Sequence, residues 1–166
     1  MHDANIGMGN EKALNQLIAH HSIIFEPEKL LVWVSTSPWQ LGEYVAYDLN
    51  KIFAMNGLQE NHEIYDSTLT IAPDTFLLTQ QFKNFEKYRE YKHRIAEGED
   101  VNTDSLVASN PQFYHAYVLA GDFCFKREQF DRAIKYYEQA LTKEIATKQE
   151  EAYIRQQITD IQKKLQ

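Results

Sequence analysis

The spacing of apolar residues changes character near residue 70. Before residue 60 they form short continuous runs rich in Ile, Val and aromatic side chains, at 23–25 and 30–34, with Pro27 in the segment between them. Pro fixes φ for a turn position and such runs favour strands, so the pattern predicts a β-hairpin. Alternation over 43–49 predicts a third strand. Because the hairpin runs are continuous, both faces of these strands should be covered.

A short helix is predicted ahead of the hairpin. Asn10 can cap it, and Ala13, Leu14, Leu17 and Ile18 then fall on one side at a helical spacing.

From Pro73 onward the pattern is helical. Asp74 is the predicted cap of a long helix to about residue 96, along which Phe82, Phe85 and Tyr88 form an apolar stripe. The stripe predicts that this helix packs against others.

Three further helices are predicted. Asn110 followed by Pro111 is a favourable start for a helix to about residue 126, and a tight turn leads to another over about 130–143. The final helix opens with a capping box at Thr147 and Glu150. Together these elements predict an α+β protein, mainly α: a small three-stranded portion over 1–60 and a helical portion over 73–166.

Composition narrows the classes of function. The net charge of −7 opposes a polyphosphate partner, so we expect no nucleic-acid binding. No apolar run approaches the roughly 20 residues that cross a bilayer, and the start of the chain lacks the pattern of a signal peptide, so we expect no membrane partner and, on that basis alone, a cytoplasmic location. The single Cys excludes an intrachain disulfide and a multi-thiolate zinc site.

Residues 116–125 and 130–141 resemble one tetratricopeptide repeat, at about 114–147, followed by a capping helix at 148–165. Gly121 and Ala133 are the small residues of the pattern, and Ala140 is the small residue near its end. The resemblance implies a helical hairpin that holds a protein or peptide, with a concave face lined by three residues: Tyr114, Tyr117 and Asp122. Three positions depart from the pattern: Ala120, Cys124 and Ile145.

Residues 1 to about 55 carry a second resemblance. His21-Ser22, then Trp33-Val34-Ser35 and the segment 38–49 are similar to the C-terminal part of the autoproteolytic acyltransferases and linear amide hydrolases, relatives of penicillin acyltransferase and choloylglycine hydrolase among the N-terminal nucleophile hydrolases. The resemblance implies the last piece of an αββα sandwich. The family's nucleophile is a Cys exposed by self-cleavage far upstream, so we expect no catalytic residue in this chain as given.

Other candidates for chemistry are weaker. Cys124 lies within a predicted helix at a packed position, so we expect a buried side chain rather than a nucleophile. His20 and His21 are adjacent and point to opposite faces of an extended segment, so we expect no metal site and no cofactor.

Two functions follow. The first is a non-catalytic protein-interaction or assembly module, forming a homo-oligomer because strands that are apolar on both faces need a cover. The alternative is the C-terminal fragment of an amidohydrolase or acyltransferase acting on linear C–N amide bonds, inactive without its N-terminal nucleophile half.

Overall fold

The computed structural model describes residues 5–13, 17, 19, 21–57, 60 and 62–165. It is an α+β protein in which helices predominate, which confirms the predicted fold class. The chain forms two compact units, the sheet unit over Leu17–Thr79 and the helical unit made of Met1–Gln16 together with Gln80–Gln166. These bounds differ from the predicted portions 1–60 and 73–166, because the N-terminal segment packs in the helical unit.

The sheet unit contains a three-stranded antiparallel sheet in the order β1-β2-β3. Its register aligns Ile24 with Trp33 and Trp33 with Ala46. All three strands are thus confirmed. The elements are β1 (Ile23–Glu26), β2 (Leu31–Ser35), a 3-10 turn (Trp39–Leu41), β3 (Tyr44–Asp48), α1 (Leu49–Phe53) and a second 3-10 turn (Thr75–Leu78).

The helical unit contains five helices in its described residues. They are α2 (Gln80–Ala96), α3 (Thr103–Ser109), α4 (Tyr114–Lys126), α5 (Phe130–Leu141) and α6 (Lys148–Lys164). Thr147 caps α6 by accepting a hydrogen bond from the N–H of Glu150 at 3.2 Å, as the capping box predicts.

Three helix starts differ from the prediction. Asp74 caps only the short 3-10 turn, and the long helix begins at Gln80. Helix α4 begins at Tyr114 rather than at Asn110-Pro111, because the Asn110 side chain bonds elsewhere. Helix α3 was not predicted, although Asn102 caps it with a hydrogen bond from the N–H of Ser105 at 2.9 Å.

Two buried asparagines join the N-terminal segment to the helices of the helical unit. The amide nitrogen of Asn10 donates to the carbonyl of Glu144 at 2.8 Å, and its Oδ1 accepts from the N–H of Lys12 at 3.0 Å, as the side chain of a helix cap does. The amide of Asn110 donates to the carbonyl of Met8 at 2.8 Å, and its oxygen accepts from the N–H of Met8 at 3.2 Å. Of the helix predicted beyond Asn10, Leu14 and Ile18 lie outside the described residues.

The core of the helical unit is aromatic. The predicted stripe of α2 is buried, and the rings of Tyr88 and Phe113 meet edge to face with centroids 5.4 Å apart. Helices α4 and α5 pack closely where Gly121 faces the ring of the fully buried Tyr137.

Candidate interaction surface

One face of the sheet carries six side chains, none of them charged and none buried. Because cross-strand partners share a face, the register places them together. This set, called the apolar face below, comprises Ile23, Phe25, Val32, Val34, Val45 and Tyr47.

The opposite face is covered by the chain itself at β2 and β3. The indole N–H of Trp33 donates to the carbonyl of Leu69 at 2.8 Å, and Ala46 is fully buried. Ser35 is buried too, and its hydroxyl accepts a hydrogen bond from the N–H of Ser22 at 2.9 Å. The expectation that both faces are covered therefore holds for β2 and β3 on this face, but neither for β1 nor for the apolar face.

The outer edge of β3 is paired within the sheet unit. Tyr44 and Ile71 exchange two backbone hydrogen bonds of 2.9 and 3.0 Å, and the N–H of Asp66 donates to the carbonyl of Ala46 at 2.8 Å. Edge strands with free backbone groups invite pairing with other chains, and here the fold occupies that edge.

The outer edge of β1 has no backbone partner among the described residues. The N–H of Ser35 donates to the carbonyl of Ser22, so alternate residues from Ser22 onward bond to β2, and those between them, Ile23 and Phe25, direct their backbone groups outward. The side chains of β1 are exposed as well, at 50% for Ile23, 42% for Ile24 and 65% for Phe25.

Negative charge is concentrated in the sheet unit. Leu17–Thr79 contains eight acidic residues and two lysines, a formal net charge of −6 out of −7 for the whole chain. Both lysines are in ion pairs, Lys29 with Glu26 at 2.7 Å and Lys51 with Asp66 at 2.6 Å. The hydrogen bond from Lys51, helped by Thr68, lowers the pKa of the Asp66 carboxyl from 3.8 to about 2.

The residues predicted to line a concave peptide site lie mostly in the interior. Tyr114 is 1% exposed and its hydroxyl donates to the carboxylate of Glu150, while Tyr117 is buried and donates to the carbonyl of Pro111 at 2.8 Å. Burial raises the pKa of both phenols. Their rings pack inside the helical unit and offer no open face to a peptide.

Asp122 is half-buried, and its carboxylate accepts hydrogen bonds from two phenol hydroxyls. Tyr137 donates to its Oδ1 at 2.6 Å and Tyr153 at 2.9 Å. Burial is the main cause that raises the pKa of Tyr153 to about 12, so both phenols stay protonated and keep donating at neutral pH. The carboxylate thus holds α4, α5 and α6 together.

Cys124 is fully buried, and burial raises the pKa of its thiol. A neutral, inaccessible thiol is a poor nucleophile, which agrees with the expected packing role.

A polar cleft of about 550 Å³ lies beside α3 in the helical unit. Its arginines already have partners: Arg127 pairs with Asp100 and lies 3.6 Å above the ring of Phe123, and Arg132 donates to Thr103 at 2.8 Å. The cleft therefore presents satisfied ion pairs rather than groups awaiting a ligand.

Within the part of the chain that the structure describes, no cluster of three or more His, Cys, Asp or Glu side chains is arranged to hold a metal ion. Among the same residues, no helix has the length and apolarity to traverse a bilayer. Of the histidines named above, His21 is exposed and His20 lies outside the described residues. Comparison with protein-family models, curated proteins and solved structures finds no match to this chain, so both resemblances stay predictions.

Proposed function

We propose that the protein is a non-catalytic assembly module whose sheet unit associates with a second copy of the chain. The observation that carries the proposal is the distribution of exposed apolar side chains. In the strands of the sheet, the exposed large apolar side chains are Ile23, Ile24 and Phe25, which follow one another on β1 and adjoin the partly exposed remainder of the apolar face. The other face at β2 and β3, and the outer edge of β3, are covered by the chain itself. Apolar side chains gathered on one surface, rather than scattered singly, are typical of sites of association.

A second copy suits this surface because the apolar face is uncharged. Two copies can bring such faces or edges together without burying an unpaired charge, which would be costly. The acidic groups of the sheet unit lie outside the face and act against association only through long-range repulsion.

The area of the apolar face limits the strength of the association. Three strands spaced about 4.8 Å apart and about 17 Å long present a face of roughly 250 Å², well below the roughly 800 Å² per partner of a standard interface. We therefore expect an equilibrium between monomer and dimer that responds to protein concentration, rather than a permanent dimer.

Sedimentation equilibrium over the micromolar range tests the proposal. The weight-average mass of the wild-type chain should rise with concentration towards twice the monomer mass. Phe25→Lys puts a charge on β1 within the apolar face, at a side chain that is 65% exposed, and should hold the mass at the monomer value.

Asn56→Lys is the matched control, since it adds the same charge at an exposed loop position of the same unit and should associate like the wild type. Circular dichroism establishes that both variants are folded. A wild-type chain that stays monomeric throughout the range would refute the proposal, as would equal association of the two lysine variants.

A further inference from the structure

We infer that the second copy joins by antiparallel pairing of β1 with β1, which would make one continuous six-stranded sheet. The inference rests on the proposed function and specifies its geometry.

The exposure of β1 favours pairing at the edge over stacking of the two apolar faces. Ile23 and Phe25 belong to the apolar face, whereas Ile24 lies on the opposite face and is still 42% exposed. Stacking of faces would cover only the first two. A strand added beside β1 covers side chains on both faces.

The backbone hydrogen bonds also favour pairing at the edge of β1. Each inner side of the sheet is paired, and the outer edge of β3 is occupied by Ile71 and Asp66. Ile23 and Phe25 are left with outward N–H and C=O groups that have no partner among the described residues. A strand edge of this kind is a template for another strand.

The sequence of β1 suits pairing with itself. A two-fold axis at Ile24 sets Ile23 opposite Phe25 of the partner subunit, and these two residues exchange both backbone hydrogen bonds at each end of the pair. Ile24 then faces Ile24 of the partner subunit in the closer, non-hydrogen-bonded position. Pairs of a β-branched with an aromatic side chain are favourable across strands.

The ends of β1 limit the register. Shifting the axis to Phe25 would set Ile23 opposite Pro27 of the partner subunit, which has no N–H to donate. The strand itself carries neither the Lys nor the Pro that commonly protects an edge.

Two substitutions of Ile23 distinguish the contribution of its backbone N–H to association from that of its side chain. Ile23→Ala shortens the side chain, whereas Ile23→Pro also removes an outward N–H that the pairing of β1 with β2 does not use. Proline is tolerated at such edge positions. Because each dimer loses two hydrogen bonds, the dissociation constant of Ile23→Pro should exceed that of Ile23→Ala by roughly tenfold or more.

Amide hydrogen exchange of the wild-type chain gives an independent measurement. Raising the concentration from monomer to dimer should slow exchange at Ile23 and Phe25, and should leave Ile24 unchanged, since its N–H already bonds within the sheet unit.

The two proposals can fail separately. If the wild type associates and Phe25→Lys prevents it, but Ile23→Pro matches Ile23→Ala and exchange at Ile23 stays fast, the edge pairing is wrong and the assembly function stands. A wild-type chain that never associates overturns both.

Discussion

Replacing Gly121 by Ala should destabilise the helical unit, although Ala is the better helix former. A Cβ built at this position lies 2.7 Å from Cε1 and 2.9 Å from Cδ1 of Tyr137. Carbon atoms in contact prefer about 3.5–4.0 Å, so the ring must retreat by nearly 1 Å. Tyr137 is fully buried and its hydroxyl is held by Asp122, so the ring has no free space to enter.

Two opposing effects set the magnitude. Overpacking of a core costs about 1–3 kcal/mol, and a change from Gly to Ala in a helix returns about 1 kcal/mol. Strain on the hydrogen bond between Tyr137 and Asp122 adds to the cost. We expect a net loss of about 1–2 kcal/mol, which lowers the Tm of a unit of this size by about 5 °C or more.

Thermal and urea unfolding followed by circular dichroism measure this loss. Gln139→Ala, at an exposed position of α5, controls for helix propensity and should leave the Tm nearly unchanged. In a Tyr137→Leu background the ring is gone, and Gly121→Ala should become neutral or stabilising. A higher Tm for Gly121→Ala alone, or the same loss in both backgrounds, would show that the contact with Tyr137 is not the cause.

Three further outcomes are expected. Because each sheet unit has a net charge of −6, added salt should strengthen self-association, as the Debye length falls from about 30 Å at 0.01 M to about 8 Å at 0.15 M; weaker association in salt, measured by sedimentation, would contradict this. Burial, and secondarily Lys92, lowers the pKa of His115, whose Nδ1 lies 2.7 Å from the Tyr88 hydroxyl, so the unfolded chain binds the proton more readily. Stability contributed by neutral His115 should therefore be lost as pH falls below about 6.5, and His115→Gln should flatten the dependence of the urea midpoint on pH between 8 and 5. Asn10→Ala should cost about 1–3 kcal/mol, because the carbonyls of Glu144 and Ile6 lose a donor and the N–H of Lys12 loses an acceptor; an unchanged urea midpoint would show that these bonds together contribute nothing.

The local elements could be predicted from the sequence because their signals are local. The continuous apolar runs on either side of Pro27 predict the hairpin, and Thr147 with Glu150 predicts the start of α6. Each signal depends on residues within one turn or one strand.

The contacts that define the units have no such local pattern. Asn10 makes the local bond of a helix cap to the N–H of Lys12, but nothing near it in the sequence predicts its bond to the carbonyl of Glu144, 134 residues away. The resemblance to a tetratricopeptide repeat predicts Tyr114 on an open face, whereas in the structure its hydroxyl donates a hydrogen bond to Glu150 of a later helix. The candidate surface could be predicted only in part. The continuous apolar runs indicate that the strands need covering on both faces, but only the pairing of β3 with Ile71 in the structure shows which edge of the sheet is left open.

The helical unit is discontinuous along the chain, because the whole sheet unit is inserted between its two parts. The hydrogen bond between Asn10 and Glu144 joins those two parts. On the ribosome the two units therefore mature in a fixed order. The sheet unit is complete once residue 79 has emerged, while the N-terminal segment must wait for Glu144. At about 5–20 residues per second, synthesis from residue 10 to residue 144 takes roughly 10 s, during which Asn10 lacks its acceptor on Glu144. Asn10, although synthesised early, is thus among the last residues to complete its native hydrogen bonds.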